Sequence, residues 1–243
     1  MRMLTFAKRN TREILRDPIN LLFGLGFPLV LILLLTAIQA NIPVKLFEIQ
    51  YLTPGITVFG LAFMSLFSAT IIAKDRASAF LCRLYTTPLT PLDFILGYTL
   101  PLIPISAAQC VICYLVAVVL GLEITVNIIY AVLFIIPVSM LYIALGLLCG
   151  SVLNDKQVGG VCGALLTNLS AWLSGVWFDL DLVGGAFKRI AYALPFVHAV
   201  ELQRAVLLGD FSGIFPHLWW VLGYAIVLLI LAVLLFLRQM KRQ

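Results

Sequence analysis

Side chains that could carry out chemistry are few in this sequence. The two histidines, His198 and His217, are not part of an H-E-x-x-H motif, and the sequence contains no G-x-S-x-G motif and no G-x-x-x-x-G-K-S/T phosphate loop. Ion-coupled carriers normally need an ionisable group at mid-membrane. The long apolar runs contain no Asp, Glu, Lys or Arg, and their one histidine, His217, stands at the very start of the last run. The sequence therefore predicts a chain that is not an enzyme and has no metal site or cofactor of its own. Energy for any transport would have to come from elsewhere.

The composition places the chain in a membrane. It is 63% hydrophobic and 11% charged, with a mean hydropathy of +1.10, which is far more apolar than an ordinary soluble domain. The formal charge of +5 comes from cations in short tracts between apolar runs, whereas a nucleic-acid-binding domain would gather them on one face. The five cysteines lie in or beside apolar runs, so no disulfide framework is expected.

Six apolar runs have about the 20 residues that a helix needs to cross a bilayer core. They are Leu21 to Ile38, Gly55 to Ala73, Tyr98 to Leu120, Val126 to Leu148, Val158 to Phe178 and Pro216 to Leu237. The predicted fold is therefore a single all-α integral membrane domain over residues 1–243, with six transmembrane helices.

Residues 1–18 have the pattern of a basic amphipathic helix that ends at Pro18. Apolar residues recur at helical spacing opposite a row of cations that includes Arg9, Arg12 and Arg16. We expect this helix to lie flat on an anionic inner leaflet. A cleavable signal peptide is the alternative, but the following apolar run is longer than a typical signal core and lacks a small-x-small site.

The positive-inside rule orients the spans. If both termini are cytoplasmic, twelve of the 16 Lys and Arg residues lie inside, and only Lys45, Lys188, Arg189 and Arg204 lie outside. An odd number of spans would put one basic tail outside. The sequence therefore predicts a multi-pass protein of the plasma (inner) membrane with both termini in the cytoplasm.

Two segments between the spans have unusual sequences. Residues 74–97 include the longest polar interruption on the predicted cytoplasmic side. Residues 179–215 are largely apolar, but Gly184, Gly185 and Pro195 break them into pieces too short to span. Backbone of this kind is tolerated in a membrane only where protein covers it. We therefore predict a re-entrant helical pair between spans five and six, in the outer half of the membrane.

Within the re-entrant segment, His198, Glu201 and Arg204 recur at three-residue steps and could share one helix face. In one interpretation, Glu201 pairs with Arg204 so that a shallow helix can be buried. In the other, these residues contact the substrate directly.

Uncharged polar residues within the spans are candidates for a substrate pathway, because such a lining suits a mostly apolar substrate with few hydrogen bonds. The candidates are Ser65, Ser68, Gln109, Thr167, Asn168, Ser170 and Ser174. For each of them, a hydrogen bond between helices, worth about 0.6–2 kcal/mol, is the alternative. Asn168 has the strongest claim because its amide is costly to leave unpaired in lipid.

Three local motifs resemble the permease (transmembrane) subunits of ABC-2 type ATP-binding cassette transporters. They are LYTTPLTPLDFILG (Leu84 to Gly97), GSVLNDKQVGG (Gly150 to Gly160), and LSGVWF followed by LPFVHAVELQRAVLLGD. The amphipathic helix before span one and the re-entrant pair before span six extend the resemblance over nearly the whole chain.

The resemblance implies an ATP-driven exporter of a lipid-like, drug-like or other amphipathic molecule. It also implies a dimer with a second copy or a homologous permease, and separate ATPase subunits that carry the ATP and Mg²⁺. Gly146 and Gly150, and Gly159 and Gly163, form G-x-x-x-G pairs that let helices pack closely. Spans one and five line the dimer interface in this family, which favours Gly159 and Gly163 as packing residues there; a helix contact within one subunit is the alternative.

The resemblance assigns two further groups of residues. Residues 74–97 would be the cytoplasmic coupling segment, and the predicted ATPase-coupling residues are Pro88, Leu89, Pro91, Leu92, Asp93, Phe94, Arg9, Arg12 and Arg16. The predicted outer gate consists of Phe178, Pro195, His198, Glu201 and Arg204. The charged run Lys74 to Arg76 is interpreted as an anchor of the coupling segment to lipid headgroups.

Two other functions are kept as alternatives. An ion-gradient-driven secondary carrier would stop when its gradient is dissipated, without any change in ATP. A non-transporting membrane assembly or sensor protein would show no flux at all.

Overall fold

The chain is helical throughout the part that the structure covers. The computed structural model describes residues 2–42, 44–78, 80 and 90–240, and no β-strand occurs within these ranges. The all-α prediction is therefore confirmed for the described residues.

Within the described residues, five helices are long and apolar enough to cross a membrane. They are Pro18–Asn41 (α2), Ile49–Ala77 (α3, Ile49–Gly60, and α4, Ala62–Ala77), Leu92–Val119 (in α5, Pro91–Thr99, and α6, Leu102–Val119), Asn127–Val152 (α7) and Phe211–Leu235 (in α12, Phe211–Met240). Together they identify a multi-pass membrane protein.

The predicted fifth span corresponds to a shorter and more polar helix, α8, which runs over residues 155–173. It consists of an α-helical turn (Asp155–Val158), a π-helical segment (Gly159–Leu166) and a final α-helical segment (Thr167–Leu173). Charged and amide side chains at its start and the polar residues near Asn168 make it less apolar than the other five helices. A sixth crossing by α8 stays a prediction.

Short helices lie before and between the long ones. They are α1 (Arg2–Leu15), a 3-10 turn (Lys45–Phe47), α9 (Leu180–Val183), α10 (Gly185–Ala193) and α11 (Pro195–Leu208). Between α8 and α12 the sequence predicted two helices, and the structure has three. Gly184, with a φ of +61°, separates α9 from α10, and Pro195 starts α11. Re-entry of these helices into the membrane stays a prediction.

The core is built around α7, which packs against α4, α6, α11 and α12. Ile135, Leu141 and Tyr142 of α7 are fully buried. In contrast, α2 and α12 expose many large apolar side chains, such as Leu22 and Leu234. Exposed apolar surface of this extent on a membrane protein faces lipid or another subunit.

The two ends of the bundle differ in charge. We refer to the end that holds α1 and Lys74 to Arg76 as the basic end. The opposite end, which holds α9, α10 and α11, is the distal end.

Candidate functional site

An open groove lined by aromatic rings lies between α2, the α3–α4 helix and α8, with a volume of about 510 Å³. Its wall contains four phenylalanines, two tryptophans and four smaller residues: Phe23, Phe27, Phe59, Phe63, Trp172, Trp177, Gly163, Thr167, Asn168 and Ala171. The Phe27 ring lies 6.2 Å from Phe59 and 5.9 Å from Phe63, and Phe59 lies 5.9 Å from Trp177. These edge-to-face and tilted contacts form one continuous wall, which we call the aromatic groove.

The two helices on the open side of the aromatic groove both contain π-helical turns. Leu22–Gly26 of α2 and Gly159–Leu166 of α8 are π-helical. Such turns are rare in proteins and occur frequently at functional sites. Their presence on both helices marks this face of the bundle as different from the regular helices around α7.

The two G-x-x-x-G pairs have different surroundings. A Cβ added at Gly146 would lie 2.3 Å from the Ser65 carbonyl oxygen, and one at Gly150 would lie 2.8 Å from the Ala69 carbonyl oxygen. This pair therefore lets α7 pack closely on α4. A Cβ added at Gly159 would meet nothing within 4 Å, so the side of α8 that carries Gly159 is open, although Val158 and Cys162 beside it are buried against α4.

A buried carboxylate joins three helices at the basic end. Asp75 of α4 is 2% exposed, and its two oxygens accept hydrogen bonds from Arg9 Nη1 and Nη2 of α1 at 2.6 and 2.7 Å. The Tyr98 hydroxyl of α5 donates to the same carboxylate at 2.9 Å. We call Arg9, Asp75 and Tyr98 the Asp75 cluster. A bidentate arginine–carboxylate pair is among the stronger polar contacts in proteins.

Further contacts between α1 and α5 support the Asp75 cluster. Asn10, which is fully buried, donates to the Gly97 carbonyl at 3.0 Å. The Phe6 ring occupies the space where Gly97 has no side chain and lies 5.8 Å from the Phe94 ring. Burial tends to lower the pKa of Arg9, but the hydrogen bond and negative charge of Asp75 raise it above its ordinary value. The guanidinium therefore stays charged.

At the distal end, Arg204 of α11 is almost completely buried. It pairs with Glu201 at 2.8 Å, and it donates to the carbonyls of Tyr51 in α3 at 3.3 Å and of Gly175 after α8 at 3.2 Å. His198 takes no part in this cluster, because its Nδ1 lies 2.9 Å from Nδ1 of His217 in α12. The three residues with three-residue spacing thus have two separate sets of partners.

Comparison with known proteins decides the family. A family model described as "ABC-2 type transporter" matches residues 1–208 of this chain. The chain belongs to this family. The capsule polysaccharide export inner-membrane protein CtrC of Neisseria meningitidis serogroup A is 26% identical over 136 residues, which cover 56% of this chain and 51% of that protein. The chain thus matches about half the length of that relative.

The seven predicted pathway residues of this ABC-2 type transporter differ in how far they are exposed. Six of the seven are buried: Ser65, Ser68, Gln109, Thr167, Ser170 and Ser174. Ser68 reaches the Ile143 carbonyl at 3.4 Å, and Ser170 lies 2.7 Å from the Tyr142 hydroxyl, so these two bond to another helix. Thr167 and the exposed Asn168 also line the aromatic groove. A role of these residues in a substrate pathway stays a prediction.

The predicted coupling residues fall into exposed and buried groups, and their role in coupling stays a prediction. Pro88 and Leu89 lie outside the described residues. Pro91 starts α5, and Asp93 forms a capping box with Thr90, in which Thr90 Oγ1 accepts from the Asp93 N–H at 3.3 Å. Leu92 is 68% exposed, whereas Phe94 is 2% exposed.

On α1, Arg12 and Arg16 are exposed, whereas Arg9 is held in the Asp75 cluster. The interpretation of Lys74 to Arg76 as a lipid anchor is wrong for two of its three residues. Asp75 is buried, and Arg76 donates to the Gly150 and Leu153 carbonyls at 2.8 and 3.1 Å. Arg76 thus lies at the C-terminal end of α7, where a positive charge is favoured.

At the distal end of the permease, Pro195 is the first residue of α11, and Phe178 lies 6.1 Å from the Phe187 ring of α10. The Glu201–Arg204 pair matches the first of the two interpretations of this segment, since Arg204 is buried among protein groups. A role of these residues in a gate stays a prediction.

Sequence reasoning missed the aromatic wall and the Asp75 cluster. A signal for the wall exists, because Phe23 and Phe27, and likewise Phe59 and Phe63, stand four residues apart as on one helix face. Asp75 gave no such signal, because it stands between Lys74 and Arg76, and a run of three charged residues is typical of a solvent-exposed surface.

Proposed function

We propose that this chain is the membrane-spanning permease subunit of an ATP-driven exporter that works with separate ATPase subunits. The observation that carries the proposal is the aromatic groove, a wall of six rings that is open along one side. ATP and Mg²⁺ would bind the partner ATPases. The chain would cross the inner membrane six times, with α8 as the fifth span and both termini in the cytoplasm.

The aromatic groove would become an enclosed pathway when a second copy or a homologous permease covers its open side. Support comes from two glycines of α8. Gly163 lines the groove, Gly159 lies one helical turn before it, and a Cβ added at either position would make no tight contact within the subunit. Small residues let helices of two subunits approach closely in a membrane. The exposed apolar side chains of α2, such as Phe23 and Leu34, would be covered by the same contact.

The Asp75 cluster would carry the movement of the ATPase into the membrane. An ATPase that closes on ATP would push the exposed start of α5 and the cationic face of α1. Because the cluster binds α1 and α5 to the end of α4, these three helices would tilt together. The α3–α4 helix forms one wall of the aromatic groove through Phe59 and Phe63, so its tilt would change the shape of the groove.

The groove favours an amphipathic substrate with apolar or flat ring-like faces. Aromatic side chains bind apolar surface, and Thr167 and Asn168 offer a few hydrogen-bonding groups. Lipid-like or drug-like molecules fit this description. The name of the meningococcal relative adds a second class, a polysaccharide, whose sugar rings could stack on Trp172 and Trp177.

The direct test is purification of the permease from its native membrane in mild detergent, followed by transport in inside-out vesicles. We expect an ATPase to copurify and ATP to drive accumulation of an amphipathic probe inside the vesicles. Absence of both results would contradict the proposal. Dissipation of the proton and sodium gradients, with ATP kept constant, should leave transport unchanged; a loss would point to a secondary carrier.

A matched pair of variants tests the coupling surface. Leu92→Glu places a charge on the exposed start of α5 and should lower ATP-dependent transport at least about tenfold while the protein still inserts and folds, since surface changes cost little stability. Val152→Lys places a charge on another exposed apolar residue at the basic end and should transport normally. Equal activity of the two variants would remove Leu92 from the mechanism.

A further inference from the structure

We infer that Arg204 is a positioning residue that keeps the distal end of the aromatic groove closed by holding Trp177 in place. The inference rests on the proposed function for its meaning in transport, but its structural basis is independent of it. Trp177 belongs to the turn that follows α8, and its ring lies 5.9 Å from Phe59 in an edge-to-face contact. Both rings line the aromatic groove, and the turn that carries Trp177 follows the distal end of α8.

The turn that carries Trp177 is attached to Arg204. Gly175 adopts a left-handed φ of +70°, and its carbonyl accepts a hydrogen bond from Arg204 Nη2 at 3.2 Å. This carbonyl lies just past the C-terminal end of α8, where a positive charge is favoured. Arg204 therefore fixes the backbone two residues before Trp177.

The other contacts of Arg204 bring this turn against α3. Arg204 Nε donates to the Tyr51 carbonyl at 3.3 Å, in a stretch of α3 where Pro54 disrupts helical hydrogen bonding. A Cβ added at Gly55 would lie 3.2 Å from Val176 Cγ2 and 3.6 Å from Arg204 Nη2. The glycine thus provides the space in which the turn and the guanidinium meet α3.

The bonds of Arg204 can be broken and remade. Its two bonds to α3 and to the turn end on neutral carbonyls, and its carboxylate partner Glu201 lies on its own helix, α11. Release of the Gly175 carbonyl would thus free the turn while the charge of Arg204 stays paired. Once a second permease covers the open side of the groove, as proposed above, a molecule that leaves at the distal end would have to pass Phe59 and Trp177, and opening would require this release.

The experiment measures access to the aromatic groove from the distal side. Asn168→Cys is introduced into a variant in which the five native cysteines are replaced by alanine. A membrane-impermeant maleimide is then added to vesicles that expose the distal end of this protein. Arg204→Gln should raise the labelling rate at least about tenfold, as expected when a charge-assisted hydrogen bond no longer holds the closed state. Arg189→Gln removes an exposed cation of the same segment and should leave the rate unchanged.

Trp177→Ala separates a positioning role from a general loosening of the fold. It should raise labelling while Arg204 is intact, and Arg204→Gln should add nothing to it, because both changes remove the same barrier. If Arg204→Gln does not fold, Arg204→Lys replaces it, since one ammonium group cannot reach both carbonyls. Labelling at the parental rate in the Arg204 variant, or additive effects with Trp177→Ala, would overturn the inference. The labelling assay uses neither ATP nor substrate. The Arg204 inference can therefore hold even if ATP-driven transport is not found, and it can fail even if ATP-driven transport is found.

Discussion

The two glycine pairs of this chain share one sequence pattern and have opposite surroundings. Gly146 and Gly150 let α7 touch the backbone of α4, with an added Cβ at Gly146 only 2.3 Å from a carbonyl oxygen. A Cβ added at Gly159 would meet nothing within 4 Å, and one added at Gly163 would make only an ordinary contact, at 3.6 Å, with the flexible end of Leu66. The same spacing therefore makes a contact inside the subunit in one helix and leaves a surface available to a partner in the other.

This difference separates a packed face of the bundle from an open face. The packed face surrounds α7 and contains the buried serines that were predicted to line a pathway. The open face contains the aromatic groove and the π-helical turns of α2 and α8. The features proposed to act in transport thus lie on a different face from the contacts that stabilise the subunit.

The largest effect is expected from a side chain on the packed face. Gly146→Leu would force α7 away from α4 and should destabilise the subunit by at least about 3 kcal/mol, the upper part of the range for overpacking. Thermal unfolding of the detergent-solubilised protein measures this loss. Gly160→Leu is the matched control, because its Cβ would meet nothing within 4 Å, and it should unfold at nearly the parental temperature. Equal stability of the two variants would abolish the distinction between the faces.

A smaller loss is expected at the Asp75 cluster. Asp75→Asn removes the buried carboxylate of Arg9, which keeps only its partly exposed partner Glu13. It should cost about 2 kcal/mol, less than a fully buried pair because the Arg9 side chain is 36% exposed. It should also lower the transport obtained per ATP hydrolysed, since α1 and α5 would no longer move with α4. Lys74→Gln, one residue away and exposed, is the control for both readouts. Normal coupling in Asp75→Asn would remove the cluster from the mechanism.

The smallest effect on stability is expected on the open face. Gly159→Leu should change the unfolding free energy of the subunit by less than about 0.5 kcal/mol but should prevent close approach of a second subunit. Native mass spectrometry should show the parent as a dimer and the variant mainly as a monomer. A dimer of normal mass and stability in the variant would place the subunit contact elsewhere.

Much of the fold could be predicted because membrane helices follow length and apolarity. Five of the six predicted spans overlap helices that meet these criteria. The start of α5 was also predictable, because Thr90 and Asp93 have the spacing of a capping box and Pro91 stands between them at the first helical position. The span at α8 differs, since its amide and hydroxyl side chains near Asn168 lower its apolarity.

The candidate site was harder to predict, because a sequence does not show which side of a helix faces its own bundle. Ser65 and Asn168 are both polar residues within apolar runs, but one is buried and the other lines the aromatic groove. The same limit applies to Asp75, whose partners Arg9 and Tyr98 are distant in sequence. Their meeting depends on how α1 folds back onto α4 and α5.

The central claim is that the open face is where two subunits meet and enclose the aromatic groove, and a single cross-linking measurement tests it. Gly160→Cys is placed in the cysteine-free protein, and native membranes are treated with copper phenanthroline. We expect a disulfide-linked dimer of two copies, or a covalent adduct with a second permease, that disappears on reduction. Free reaction of this cysteine with a lipid-soluble maleimide in the assembled transporter, without any cross-linked species, would show that the subunits do not meet on the open face.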